Sequence, residues 1–123
     1  MKRDMDLCRS ILVELENKEQ PVGWIDLAIH SYSAEEVSNH VRLLGEAGLI
    51  EAQNLTTHGG ALWRPKRLTW AGHDFLDAAK NDGVWRKAKS LVLEKTGTLT
   101  LELLRMALSE VTKGLLAGKI TLL

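Results

Sequence analysis

A mainly α-helical fold carrying one small β-hairpin is predicted by three features of this 123-residue sequence. Apolar residues recur at steps of three and four along most of the chain, the period of a helix with one buried face. Two short runs of strand-forming residues flank Thr56-Thr57-His58-Gly59-Gly60, the composition of a hairpin tip. A helix start at Ser33-Ala34-Glu35-Glu36 and a glycine stop at Gly48 frame the helix that precedes this hairpin. The break at Asn81-Asp82-Gly83 divides the chain into residues 1–82 and a C-terminal helical extension, 83–123.

The first helix is expected over residues 4–16, where Met5, Cys8, Ile11, Leu12 and Leu15 share a stripe and Asp4 and Asp6 suit the positive end of the helix dipole. Cys8 on that stripe reads as a small hydrophobe rather than a nucleophile. Pro21 ends the segment. Residues 22–30 lean towards extended structure through their β-branched and aromatic content, with a short helix as the alternative that would complete a helix-turn-helix.

A second helix runs over residues 33–47, with Ser33 and Glu36 forming a capping box. Val37, Val41 and Leu44 make its buried face, and Glu35, Ser38, Asn39, Arg42 and Glu46 the opposite one. His40 lies at the margin, where a hydrogen-bonded core-edge role is expected. Gly48 supplies a left-handed cap, and strands over 49–55 and 62–68 follow, with Pro65 restricting the second to an edge.

Thr69 caps the next helix, whose stripe is read as Trp70, Ala71, Phe75, Ala78 and Ala79. Helices over 84–95 and 99–117 complete the chain. In the last one Leu101, Leu104, Leu108, Val111 and Leu115 alternate steps of three and four, as the seam of a short coiled coil does. That spacing suits either packing within one chain or a homodimer interface.

Sixteen bases balance sixteen acids, yet the balance is a sum of opposites. Residues 1–55 carry five bases against ten acids, and residues 56–123 eleven against six. Arg64-Pro65-Lys66-Arg67 holds three bases in a stretch free of acids from Gln53 to Gly72. A single cysteine excludes an intrachain disulfide, and without a long apolar run or a leader-like N-terminus a cytoplasmic protein with no membrane partner is expected. The four histidines show no metal-ligand spacing, and no nucleophile elbow, P-loop or dinucleotide fingerprint is present, so neither enzyme activity nor a cofactor is expected.

Leu43-Leu44-Gly45-Glu46-Ala47-Gly48-Leu49-Ile50 resembles the end of the recognition helix and the start of the wing in winged helix-turn-helix proteins, and Leu68-Thr69-Trp70-Ala71-Gly72 resembles the junction that follows such a wing. Met1-Lys2-Arg3-Asp4-Met5-Asp6-Leu7, His40-Val41-Arg42-Leu43-Leu44 with Ala47-Gly48-Leu49-Ile50, and Leu68-Thr69-Trp70-Ala71-Gly72-His73-Asp74-Phe75-Leu76-Asp77-Ala78 together look like a family of small bacterial and prophage proteins catalogued as a domain of unknown function, and these blocks extend the resemblance over roughly residues 1–95. The resemblance implies a winged-helix fold and a bacterial or phage setting, but no activity.

In such a fold Ser38, Asn39 and Arg42 would approach base edges in double-stranded DNA, and Arg64, Lys66 and Arg67 would grip flanking phosphates. A DNA-binding transcriptional regulator is the first functional expectation. Three acids against one base on the 33–47 helix oppose it, so the second is a protein-binding module using that helix or an exposed tryptophan. Of the four, Trp63 beside the basic cluster is the best placed to be exposed.

Overall fold

The computed structural model describes residues 2–18 and 23–122. Helix α1 (Met5–Asn17) begins where the Asp4 carboxylate accepts from the Leu7 N–H at 3.1 Å, and α2 (Ala34–Glu46) begins at a complete capping box between Ser33 and Glu36. Strands β1 (Ile50–Asn54) and β2 (Trp63–Leu68) pair antiparallel, and α3 (Trp70–Ala79), α4 (Asp82–Thr96) and α5 (Leu101–Leu116) follow. The mainly helical fold with one small hairpin is as expected. The chain forms two compact units, residues 1–76 and 77–123.

In the first unit Leu7, Ile11 and Leu12 of α1, Val37, Val41 and Leu44 of α2, and Leu49, Ile50 and Leu68 around the hairpin are buried together with Phe75 and Leu76. Residues 24–29 contain no helix, so α2 is preceded by extended chain, and the Ile25 N–H donates to the Pro65 carbonyl at 2.7 Å. That bond lays the extended segment along the outer side of β2. Of the alternatives for residues 22–30, Val22 lies outside the described residues.

His40 is 1% exposed and joins α1 to α2. Its Nε2 accepts from the Asp4 N–H at 2.8 Å, so the proton sits on Nδ1 and faces the Glu36 carbonyl, also at 2.8 Å. Asp4 in turn accepts from the Tyr32 hydroxyl at 2.8 Å, and this bond pushes the Tyr32 phenol up to about 12. Cys8 is buried, and burial pushes its thiol up to about 12, away from any nucleophilic role near neutrality.

The other joint of this unit lies where Gly48 turns the chain out of α2 with φ +78°. The Thr69 hydroxyl donates to the Gly48 carbonyl at 2.6 Å and accepts from the Gly72 N–H at 3.1 Å, while the Thr69 N–H donates to the Leu49 carbonyl at 3.0 Å. A Cβ at Gly72 would collide with that same Leu49 carbonyl. The expected stripe of α3 is out of phase: Trp70 is 84% exposed and Ala71 is exposed, and the buried positions are Gly72, Phe75, Leu76 and Ala79. Docking Gly72 on the Leu49 backbone sets this rotation and turns Trp70 outward.

In the second unit α4 and α5 pack as a helical pair whose buried positions are Val84, Trp85, Ala88 and Val92 on one helix and Leu104, Ala107, Leu108 and Val111 on the other. Asn81, Thr100 and the left-handed Gly97 cap the ends. Leu104, Leu108 and Val111 are 0%, 1% and 1% exposed within the single chain, so the centre of the expected dimer seam is taken up by the monomer's own core. Leu101 and Leu115 are half-buried, and the apolar surface that α5 leaves open is Met106 and Leu116. Among the described residues, no helix is long and apolar enough to cross a membrane.

Candidate nucleic-acid interface

The capping box fixes where α2 starts, and its rotation is set by packing on two sides: His40 against α1, and Ser38 against the hairpin. Ser38 is 6% exposed and its hydroxyl accepts from the Trp63 N–H at 2.8 Å, so it holds the hairpin to the helix and is not available to a base edge. The expected outward face therefore narrows to Glu35, Asn39, Arg42 and Glu46. A helix clamped on two flanks buries a wider arc than one apolar stripe indicates, and Ser38 falls inside that arc.

Asn39 and Arg42, one turn apart, are half-buried. An Arg42 N–H donates to the Asn39 Oδ1 at 2.9 Å, and another donates to Glu46 at 2.8 Å in an exposed i, i+4 ion pair. The guanidinium is thus held flat along the helix by its own neighbours.

The basic strand does not present its three charges together. In the hairpin Glu51 faces Arg67 and Ala52 faces Pro65, so Lys66 is the extra residue of a bulge, which fits the lack of an N–H on Pro65. Arg64 lies against the extended segment, its guanidinium carbon 4.3 Å from the Trp24 ring centre and one nitrogen 3.7 Å from Asp26. Arg67 pairs across the strands with Glu51 at 2.5 Å. Lys66 has no ion-pair partner among the described residues and lines a small cavity of about 170 Å³ with Leu15, Glu16, Arg67, Leu68 and His73. The hairpin tip, from Thr56 to Gly60, carries no Lys or Arg.

Trp63 is half-buried at the hairpin's start, and Trp24 and Trp70 are the exposed indoles instead. Among the described residues no group of three His, Cys, Asp or Glu side chains could hold a metal ion. The site thus consists of Asn39 and Arg42 on α2 with three bases spread around β2, two of them matched by carboxylates.

A family model described as "Hypothetical protein (DUF2513)" matches residues 2–98. The chain is similar to an "Uncharacterized protein" of Haemophilus influenzae, 35% identical over 118 residues that cover 95% of this chain and 100% of the relative. No solved structure matches the chain.

Proposed function

The chain belongs to the DUF2513 family, whose description names no activity, and from the side chains of α2 and the hairpin, with no helix in residues 24–29 to complete a helix-turn-helix, we propose that it is a DNA-binding protein of winged-helix form, a bacterial or phage transcriptional regulator. The observation that carries this reading is the pair Asn39 and Arg42 on the outward side of α2, beside a hairpin whose return strand holds Arg64, Lys66 and Arg67. Asn suits adenine edges and Arg suits guanine edges. The role is binding rather than catalysis.

The carboxylates that hold Arg42, Arg64 and Arg67 do not close the site to DNA. Exposed ion pairs contribute only about 0–1 kcal/mol, so a phosphate can take the place of Glu46, Asp26 or Glu51 at small cost. The acids do lower the local potential, which makes binding modest and strongly salt-dependent.

Titration of a random-sequence duplex over a range of salt tests the reading. Binding at low salt is expected, with log Kd depending linearly on log salt at about 0.9 per neutralised phosphate. Asn39→Ala with Arg42→Ala should flatten the preference among sequences, each bidentate contact carrying about 1–3 kcal/mol of discrimination. No binding at about 50 mM salt overturns the proposal.

A second reading, a protein-interaction module, is favoured by Trp70, which is 84% exposed at the start of α3. Its simplest form is a homodimer. Sedimentation of the wild type and Trp70→Ala tests that form: a two-chain mass lost in the variant supports it, and a one-chain mass in both dismisses it.

A further inference from the structure

We propose that a groove on α4, in residues 77–123, binds the phosphodiester backbone of nucleic acid. This rests on the DNA-binding reading above and gives it a phosphate-contacting surface apart from the hairpin. The charge of the chain is divided between its units: residues 1–76 carry eight bases and eleven acids, and residues 77–123 carry eight bases and five acids. The surplus of positive charge therefore belongs to the unit without the hairpin.

Within it, α4 buries Val84, Trp85, Ala88 and Val92. Gly83, Arg86, Lys87 and Ser90 follow at i, i+3, i+4 and i+7 and share another face. Thr121 and Leu122, beyond α5, form the facing wall, and the open groove between has a volume of about 400 Å³. Gly83 lies between the two walls, where a Cβ would stand 3.0 Å from Leu122 Cδ1, the movable end of that side chain.

The contrast with β2 is one of occupancy. Arg42, Arg64 and Arg67 each have a carboxylate within 4 Å, whereas Arg86 and Lys87 are exposed and have no ion-pair partner among the described residues. A guanidinium fork, an ammonium and the hydroxyls of Ser90 and Thr121 around one open groove are the donor set that phosphate oxygens take. An open groove suits a continuous backbone better than a small enclosed anion.

The full-length chain with Arg86→Ala and Lys87→Ala is compared with the wild type on a random-sequence duplex across salt, and on poly-glutamate. Both side chains are exposed, so unchanged thermal unfolding is expected. The salt dependence should become shallower by about 1.8, because two phosphates are no longer neutralised, and affinity at low salt should drop about tenfold or more. Arg86→Lys with Lys87→Arg, which keeps the charge, should restore the slope. Wild-type binding with an unchanged slope in the double alanine variant overturns the groove while leaving the hairpin reading intact. Absence of any wild-type binding overturns both, and an equal loss of poly-glutamate binding overturns the groove in favour of an acidic protein partner.

Discussion

Ser38 illustrates what one residue can conceal. By charge pattern it belongs with Asn39 and Arg42, yet it is buried and its hydroxyl satisfies the Trp63 N–H. Serine is small and polar enough for either role, so only the partner decides. Ser38→Ala leaves that N–H without its acceptor, and a loss of about 1–2 kcal/mol in unfolding free energy is expected from denaturant titration. Sequence preference on DNA should stay unchanged. Tyr32 offers a titration test of the α1 joint. Its phenol rises from 10.0 to about 12 because the protonated form donates to Asp4. The stability contributed by this bond is full below pH 10 and is lost as pH rises towards 12. Alkaline unfolding profiles should show a decline in that window for the wild type and a flatter course for Tyr32→Phe.

At the scale of elements, helices and hairpin are legible wherever a local rule determines them. The capping box at Ser33, the left-handed Gly48 and the Gly-rich hairpin tip are chemistry within a few residues, and they lie where expected. Rotation of a helix is a tertiary property, and there the apolar pattern of α3 misleads. Its phase is set by Gly72 meeting the Leu49 carbonyl, a contact between residues far apart in sequence. Seam-like spacing on α5 is legible too, but spacing does not say which surface covers it, and α4 does. Two glycine substitutions separate backbone from side-chain crowding. Gly72→Ala pushes a Cβ into backbone and should lower stability by about 3 kcal/mol or more, whereas the atoms nearest a Cβ at Gly114 are Ile120 side-chain atoms, from Cδ1 inward to Cβ, and that residue must shift, at a smaller cost than moving the Leu49 backbone. Thermal unfolding should show a large drop for the first and a smaller one for the second.

For the whole molecule, net charge of zero hides a division that the sequence reveals when it is counted by segment. What counting does not reveal is which cations are matched: Arg64 and Arg67 meet Asp26 and Glu51, acids drawn from other segments. Asp26→Asn with Glu51→Gln removes two negative charges and frees both guanidinium groups. Duplex DNA affinity at low salt should increase several-fold, with a steeper salt dependence, and an unchanged or lower affinity would count against the hairpin as a DNA surface.

The two joints of the first unit bear on how its kin are recognised. Asp4 meets His40, and Thr69 with Gly72 meets Gly48 and Leu49, so the blocks that carry the family resemblance touch each other. These joint contacts are mortises of the framework, and Glu35 and Asn39, on the outward side of α2, take no part in them. The same division makes α2 a graft site: Glu35, Asn39 and Glu46 can be exchanged for another protein's recognition residues while Ser38, His40 and Gly48 keep the framework closed.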